Sequence, residues 1–390
     1  MRPKFRILHV IGALNMGGAE RYLVRLVNRL DRRCFESWIV YTNGDVVKKE
    51  LAQDVGIIKL QEEKATARNP FDWLNIIKFY RLMKELKTDL VHTQGAGIFC
   101  IAAWIAAKLL RIPVVHTIQH TYAARSRTED ITIKTPGLRN FLYSLVDAHI
   151  AGCEYMKREF IGLWKIPPQR VYLDPIGIDL NQFKPLAETV AKKKLREELG
   201  IESDVLIIGV VARLCSVKGV HKAMSILPRV KKEIPKIKLV IVGDGPMRKD
   251  YEKLVDALDL RRNVLFTGLR TDVSQLMNMF DVYLQTTDAP LIGFTTLEAM
   301  ATGKPLVTLV QNKEEEDMAR ETVVEGGNGI LIPLGDQEAV TRLVKLLKNK
   351  RVLNEMGESS RKLAEQKFDL RLHIQNMESL YEDLICMSKK

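Results

Sequence analysis

The segment Pro175-Ile-Gly-Ile-Asp-Leu-Asn-Gln-Phe-Lys-Pro185 interrupts a pattern that runs on both sides of it. Its prolines, glycine and Asp/Asn pair are turn formers. Upstream, Phe5–Leu14 is an apolar run that reaches Gly17-Gly18 and is followed by a helical stretch from Ala19 to Leu30. Ser37–Thr42, Leu90–Thr93, Val114–Ile118 and Ala148–Ala151 read as strands, and Phe71–Leu86, Gly97–Leu110 and Gly137–Val146 as helices. Downstream, a charged helix, Ala187–Leu199, leads into a fresh apolar strand, Val205–Val211. Lys238–Val242, Asn263–Thr267, Val282–Gln285 and Pro305–Thr308 follow as strands, each trailed by helical sequence. Strands apolar throughout belong to parallel sheets covered on both faces, joined by crossover helices. The expectation is an α/β chain of two doubly wound domains joined near residues 175–200.

Composition narrows the function. At 390 residues the chain exceeds the ~100–200 residues of one ordinary domain. With 46% hydrophobic and 28% charged residues and a mean hydropathy of −0.08, it is neither disordered, collagen-like nor a polytopic membrane protein. The longest apolar stretch, Gly95–Ala107, has 13 residues, short of the ~20 that span a bilayer. Five scattered cysteines without CxxC spacing predict a reducing compartment, no disulfide framework and no zinc site. The N-terminus lacks a signal-peptide apolar region, so a cytoplasmic location is expected.

The charge is uneven. Lys and Arg number 60 against 48 Asp and Glu, and residues 1–185 hold 28 of the former and 18 of the latter. The first half therefore carries +10 of the +12 total, which predicts an anionic partner. Arg21, Arg25 and Arg29 recur at helical spacing with Arg32 and Arg33 beyond, and Lys78 and Arg81 oppose Ile76, Phe79, Met83 and Leu86. At ~1 kcal/mol for each cation near anionic lipid, such faces suit peripheral docking; a solvated helix face is the plainer alternative. No nucleic-acid recognition motif accompanies the charge, so nucleic acid is not expected as a partner.

Ligands of an open parallel sheet bind outside the carboxyl ends of its strands, so the turns there matter most. Met16-Gly17-Gly18-Ala19-Glu20 joins the first strand to its helix, where glycines admit a ligand and helix amides suit an anion. It lacks GxGxxG, and a plain tight turn also fits. Val210-Val-Ala-Arg213-Leu-Cys-Ser-Val-Lys218-Gly219 sets two cations five residues apart across a turn, able to close on one diphosphate. They could equally be solvated. Leu239-Val-Ile-Val-Gly243-Asp-Gly-Pro246 reads as a structural turn, and Phe266-Thr-Gly268 ends the next strand with a glycine that could admit a base or ribose. Gly293-Phe294-Thr295-Thr296-Leu-Glu298 opens a helix: the threonines are expected to cap it, and Glu298, in its first turn, suits a ribose diol or simply the helix dipole. His116 and His120 flank the end of one first-domain strand, with His92 and His9 inside others.

Taken together, these motifs resemble the retaining nucleotide-sugar glycosyltransferases of the GT-B class, family 4. Its GGxE turn corresponds to Gly17–Glu20 and its GIDxxxFxP hinge to Gly177–Pro185. Its VGRLxxxKG, VGxGP and EAMAxGxPVV motifs correspond to Val211–Gly219, Val242–Pro246 and Glu298–Val307, and Glu321 precedes Gly329 at a family-like spacing. The resemblance implies a GT-B fold: residues 1–180 as a Rossmann-like acceptor domain, 181–369 as a Rossmann-like nucleotide-sugar domain, an interdomain cleft, and 370–390 as a helix crossing back to the first domain. It implies hexosyl transfer with retention from a nucleotide-sugar, a UDP-sugar for preference, to a glycan or lipid-linked acceptor in surface polysaccharide or glycolipid synthesis. Neither metal nor cofactor is implied.

On this basis His120, Arg213 and Lys218 are the expected catalytic residues. Gly17, Gly18, Arg213, Lys218, Gly243, Gly268, Asp288, Gly293, Phe294, Thr295, Thr296 and Glu298 are assigned to the donor, and Glu20, His92 and Gln119 to the acceptor. Two positions depart from the family pattern. Pro290 stands where a donor-contacting glutamate is usual, with Asp288 as a substitute, and Thr117-Ile-Gln119 replaces Thr-x-His, with His120 one residue late. These departures keep open a catalytically impaired sugar-nucleotide-binding protein and a GT-B nucleotide-sugar epimerase. An NAD-linked oxidoreductase is disfavoured, because it would need the missing GxGxxG.

Overall fold

The computed structural model describes residues 4–15, 17–60, 73–95, 97–119, 136–186, 190–287 and 292–389. The chain divides into two compact units, Met1–Gly177 together with Arg371–Lys390, and Ile178–Leu370. The first holds a seven-stranded sheet of β1 (Phe5–Ile11), β2 (Phe35–Tyr41), β3 (Gly56–Lys59), β4 (Leu90–Gln94), β5 (Val114–Thr117), β6 (Ala148–Ala151) and β7 (Val171–Leu173). Their order is β3-β2-β1-β4-β5-β6-β7, and every pair is parallel. The second holds β8 (Leu206–Val211), β9 (Ile237–Val242), β10 (Val264–Gly268), β11 (Val282–Gln285), β12 (Leu306–Val310) and β13 (Gly329–Pro333), in the order β10-β9-β8-β11-β12-β13, again parallel.

Each sheet is thus doubly wound, with its order reversing beside its first strand. The central strands carry apolar residues at consecutive positions because helices cover both faces. All of β4, β5, β6 and β12 is buried, as is β8 after its first residue. Gly209 in the middle of β8 is needed because a Cβ there would overlap the Phe280 ring. The edge strands β3 and β7 are four and three residues long and only partly buried. Their sequences therefore lack the continuous apolar run, and neither strand is legible beforehand.

The apolar stretch near Gly95 becomes the helix Ile98–Leu109, eight of whose side chains are buried in the first unit. Its Trp104 indole donates to Thr93 Oγ1 at 2.9 Å. No described helix is long and apolar enough to cross a membrane. The last helix, Leu370–Ser388, buries Ile374, Met377, Tyr381 and Ile385 within the first unit. Polar contacts fix its register: Asp174 meets His373 Nδ1 at 2.6 Å and accepts from Asn376 at 2.9 Å, and Glu378 accepts from the Asp31 amide at 2.7 Å.

The second unit begins with a backbone pairing in which the Ile178 amide donates to the Phe368 carbonyl at 2.7 Å and the Leu370 amide to the Ile178 carbonyl at 3.1 Å. Arg361, on the helix Lys350–Lys367, fastens the turn-rich segment that follows. Its Nη1 donates to the carbonyls of Leu180, Phe183 and Ala301 at 3.3, 2.8 and 2.7 Å. Truncation strands three acceptors that share one charged donor. Arg361→Ala should therefore lower the stability of this unit by about 1.5–3 kcal/mol, the range for hydrogen bonds to a charged group. Urea unfolding followed by hydrogen exchange at residues 178–186 checks this, and an unchanged midpoint would count against it.

Candidate functional site

Both winding reversals open a crevice outside the carboxyl ends of the strands, where doubly wound folds bind ligands. In the second unit that point lies between β8 and β11. After β8 the chain passes exposed Arg213 and enters a short 3-10 turn, Ser216–Lys218. Gly219 follows at φ 57° and opens the helix Val220–Glu233. That left-handed conformation requires glycine, and without a side-chain cap the helix N-terminus is left to an outside acceptor. Arg213 makes no side-chain hydrogen bond or ion pair with the described residues, and Lys218 is half-buried. Burial holds the Lys218 ammonium below the usual lysine range, with the Cys215 thiol opposing weakly.

The loop after β11 is tied directly to this turn, because Thr286 Oγ1 donates to the Lys218 carbonyl at 2.7 Å. The helix Phe294–Ala301 starts there, with Gly293 as an N-cap lacking a side-chain bond. Contrary to expectation, Thr295 and Thr296 do not cap it. Thr295 Oγ1 pairs with the Tyr283 hydroxyl at 2.8 Å, and Thr296 Oγ1 donates to Gln285 Oε1 at 2.7 Å. Both threonines instead pin the helix to β11. Burial pushes the Tyr283 phenol up to about 12, with the Glu298 charge adding to the rise against the two threonine hydrogen bonds. The phenol therefore stays neutral and available to Thr295.

Glu298 is also displaced from its expected place. It lies in the second helical turn and is buried, so the dipole of the first turn does not explain it. Gly243 (φ 130°) has a packing role: a Cβ there would strike the Ala212 carbonyl, and the Leu214 amide donates to the Asp244 carbonyl at 3.0 Å. The β9 turn thus sits directly against the segment carrying Arg213. Gly268 takes φ 72° at the end of β10, with open space where its Cβ would be. Asp288 and Pro290 lie outside the described residues, as does His120 in the first unit.

In the first unit the reversal lies between β1 and β4. Gly17 is the extended N-cap of the helix Gly18–Val27. A Cβ on Gly17 would meet the carboxylate of Glu20, which folds back over the turn. Burial raises the Glu20 pKa, opposed by a backbone hydrogen bond. Gln119 follows β5 and donates to Gln94 Oε1 at 2.8 Å. His92, expected at an acceptor, is instead fully buried in β4. Its Nδ1 meets the Tyr381 hydroxyl at 2.6 Å and its Nε2 meets Thr117 Oγ1 at 2.7 Å. Burial, with the neighbouring histidines, holds its pKa well below the usual value. His116 packs among Trp104, Tyr143 and Phe160, a core position. Sequence reasoning missed Tyr283, Gln285 and Thr286, which position the β11 loop, and Gln94 and Tyr381, which hold Gln119 and His92. Tyr381 lies 289 residues from its partner and gives no local signal.

Two family models match the chain in tandem: Glycosyltransferase Family 4 over residues 16–182 and Glycosyl transferases group 1 over residues 191–363. The chain belongs to the family 4 (group 1) glycosyltransferases. Among relatives of this family member, the UDP-Gal:alpha-D-GlcNAc-diphosphoundecaprenol alpha-1,3-galactosyltransferase of Escherichia coli is 26% identical over 321 residues, 80% of each chain. The alpha-monoglucosyldiacylglycerol synthase of Acholeplasma laidlawii is 24% identical over 336 residues, 81% of each chain. The crystal structure of Anabaena HepE in complex with UDP superposes with a TM-score of 0.80 at 21% identity, covering 98% of this chain and 100% of that one. That likeness establishes the GT-B fold.

If Arg213 and Lys218 grip a diphosphate, replacing either with methionine should weaken UDP binding by about 10- to 100-fold, the range of one charge-assisted hydrogen bond. Because burial lowers the Lys218 pKa, its charge is lost below the usual lysine range. UDP affinity should therefore begin to fall at a correspondingly lower pH, and Lys218→Arg should move that fall upward. Calorimetric titrations from neutral to alkaline pH read both effects. A pH profile identical in Lys218→Arg would contradict the assignment.

Proposed function

We propose that this glycosyltransferase moves a sugar, with retention of anomeric configuration, from a UDP-sugar to a lipid-linked acceptor at the cytoplasmic surface of an anionic membrane. The observation that carries the donor half is the bonded pair of loops at the β8–β11 reversal, which brings Arg213, Lys218 and the start of the helix Phe294–Ala301 to one edge. Bond cleavage leaves new negative charge on the departing diphosphate. Two cations beside a helix N-terminus would stabilise it without reorganising, and a preorganised group of that kind is worth roughly 10²–10³ in rate. Glu298 is assigned to the ribose hydroxyls, and Glu20 and Gln119 to the acceptor. UDP is favoured because HepE was solved in complex with it, and a lipid acceptor because one relative's name gives a diphosphoundecaprenol-linked substrate and the other's a glucosylated diacylglycerol product.

The basic first half supports the membrane part, although on a different helix from the first. Arg32 pairs with Asp54 at 2.6 Å and Arg33 with Asp31 at 2.7 Å, which removes two of the expected cations. The helix Trp73–Leu86 instead exposes Trp73 (65%), Leu74 (55%) and Ile77 (46%). Exposed Arg81 and Lys84 continue the same ridge at helical spacing. Apolar groups beside cations suit an anionic lipid interface.

Two tests follow directly from this reading. With UDP-sugars and a short-chain polyprenyl-diphosphate-linked N-acetylglucosamine, proton NMR should show a product of the donor's anomeric configuration, and Arg213→Met should cut turnover by about 10²-fold. UDP-sugar binding without transfer would favour a binding protein instead. Sedimentation with phosphatidylglycerol vesicles should recover the protein in the pellet at low salt and not with phosphatidylcholine. Trp73→Asp with Ile77→Asp should abolish that recovery. Equal recovery in the supernatant with both lipids would overturn the membrane reading.

A further inference from the structure

A chain of side-chain contacts runs inward from the carboxyl edge of the first sheet to the C-terminal helix. Gln119 Nε2 donates to Gln94 Oε1 at 2.8 Å, and Gln94 Nε2 lies 3.3 Å from His92 Nε2. On the far side of the ring, His92 Nδ1 lies 2.6 Å from the Tyr381 hydroxyl. Gln94, His92 and Tyr381 are all buried, so no water competes for these groups. An amide nitrogen can only donate. A hydrogen bond from that amide to Nε2 therefore requires the tautomer whose single ring proton sits on Nδ1, directed at Tyr381. Thr117 Oγ1, 2.7 Å from Nε2, then donates as well.

We propose that Tyr381 and His92 are positioning residues for the acceptor edge. By holding the proton of His92 on Nδ1, Tyr381 orients the amide of Gln94, and Gln94 in turn fixes which way the Gln119 amide faces. The C-terminal helix thereby sets a polar group at the site as well as covering apolar surface. Without the hydroxyl, a buried Nδ1–H has no partner. The proton moves to Nε2, where Thr117 can accept it, and an N–H then confronts the Gln94 amide. Gln94 must turn, and Gln119 loses its anchor. The inference rests on Gln119 facing the acceptor.

The experiment uses the full chain with ¹⁵N-labelled histidine and glutamine. In the wild type, His92 should appear as the Nδ1–H tautomer. Tyr381→Phe should convert it to Nε2–H and shift the side-chain amide of Gln119. Met377→Ala, on the same helix and buried outside the chain of contacts, should lower stability and leave both signals in place. Gln94→Met, which keeps the helix contacts intact, should shift the Gln119 amide on its own.

With the polyprenyl-diphosphate-linked N-acetylglucosamine, Tyr381→Phe and Gln94→Met should raise the acceptor KM about two- to tenfold, the range of one neutral hydrogen bond. The turnover number and the UDP-sugar KM should not change. An Nε2–H wild type, or a Tyr381→Phe protein that alters neither the Gln119 amide nor the acceptor KM, overturns the proposal. Gln119→Ala with an unchanged acceptor KM would overturn the acceptor reading instead, while the tautomer result still decides the relay.

Discussion

Both sheets reverse their winding beside their first strand, and the placement of every candidate group depends on that constraint. At the reversal, neighbouring crossovers leave on opposite faces, so the carboxyl ends of two adjacent strands stand open between them. Backbone amides at the following helix starts point into that gap, and an anion is the simplest group to satisfy them. In the second unit, β8 and β11 border the gap, and the Thr286–Lys218 bond ties their loops together. In the first unit, β1 and β4 border it, with Gln94 ending β4. In the function proposed above, the same topology would serve a diphosphate in one unit and a polar acceptor group in the other.

The packing around the donor edge explains why its residue types are so restricted. Gly243 lets the β9 turn lie against Ala212, and Gly209 makes room for Phe280 inside β8. Neither glycine needs to touch a ligand. Tyr283, Gln285 and Thr286 use their polar atoms on neighbouring loop and helix side chains or carbonyls, beside the turn that carries Arg213 and Lys218. The uneven charge of the chain is distributed in a similar way. In the first unit several cations are spent on local carboxylates, such as Lys108 on Asp147 at 2.7 Å, whereas Arg81 and Lys84 stay exposed beside an apolar ridge.

Much of this was legible in the sequence, for identifiable reasons. Central strands such as Val205–Val211 announce themselves because burial on both faces demands a continuous apolar run. The linker at Pro175–Pro185 stands out because prolines and a glycine break that rhythm. The edge strands β3 and β7 were not legible, since a half-exposed strand of three or four residues has no such run. Side-chain partners were harder still. Thr295 and Thr296 look like caps from local spacing, yet β11 competes for their hydroxyls more effectively. Glu298 was assigned to a first turn because the sequence does not say that Gly293 is the cap. His92 looks like a ligand-binding histidine until Tyr381, far along the chain, is seen to occupy its ring.

Hydrogen exchange of the full chain with and without UDP tests most directly the claim that the nucleotide diphosphate sits at the β8–β11 reversal. Added protection should concentrate in the amides of residues 212–221 and 292–298, with little change at the amino-terminal edge of the same sheet. Protection confined to the first unit, or to the basic groove lined by Lys231, Lys236 and Arg262 at that opposite edge, would contradict it.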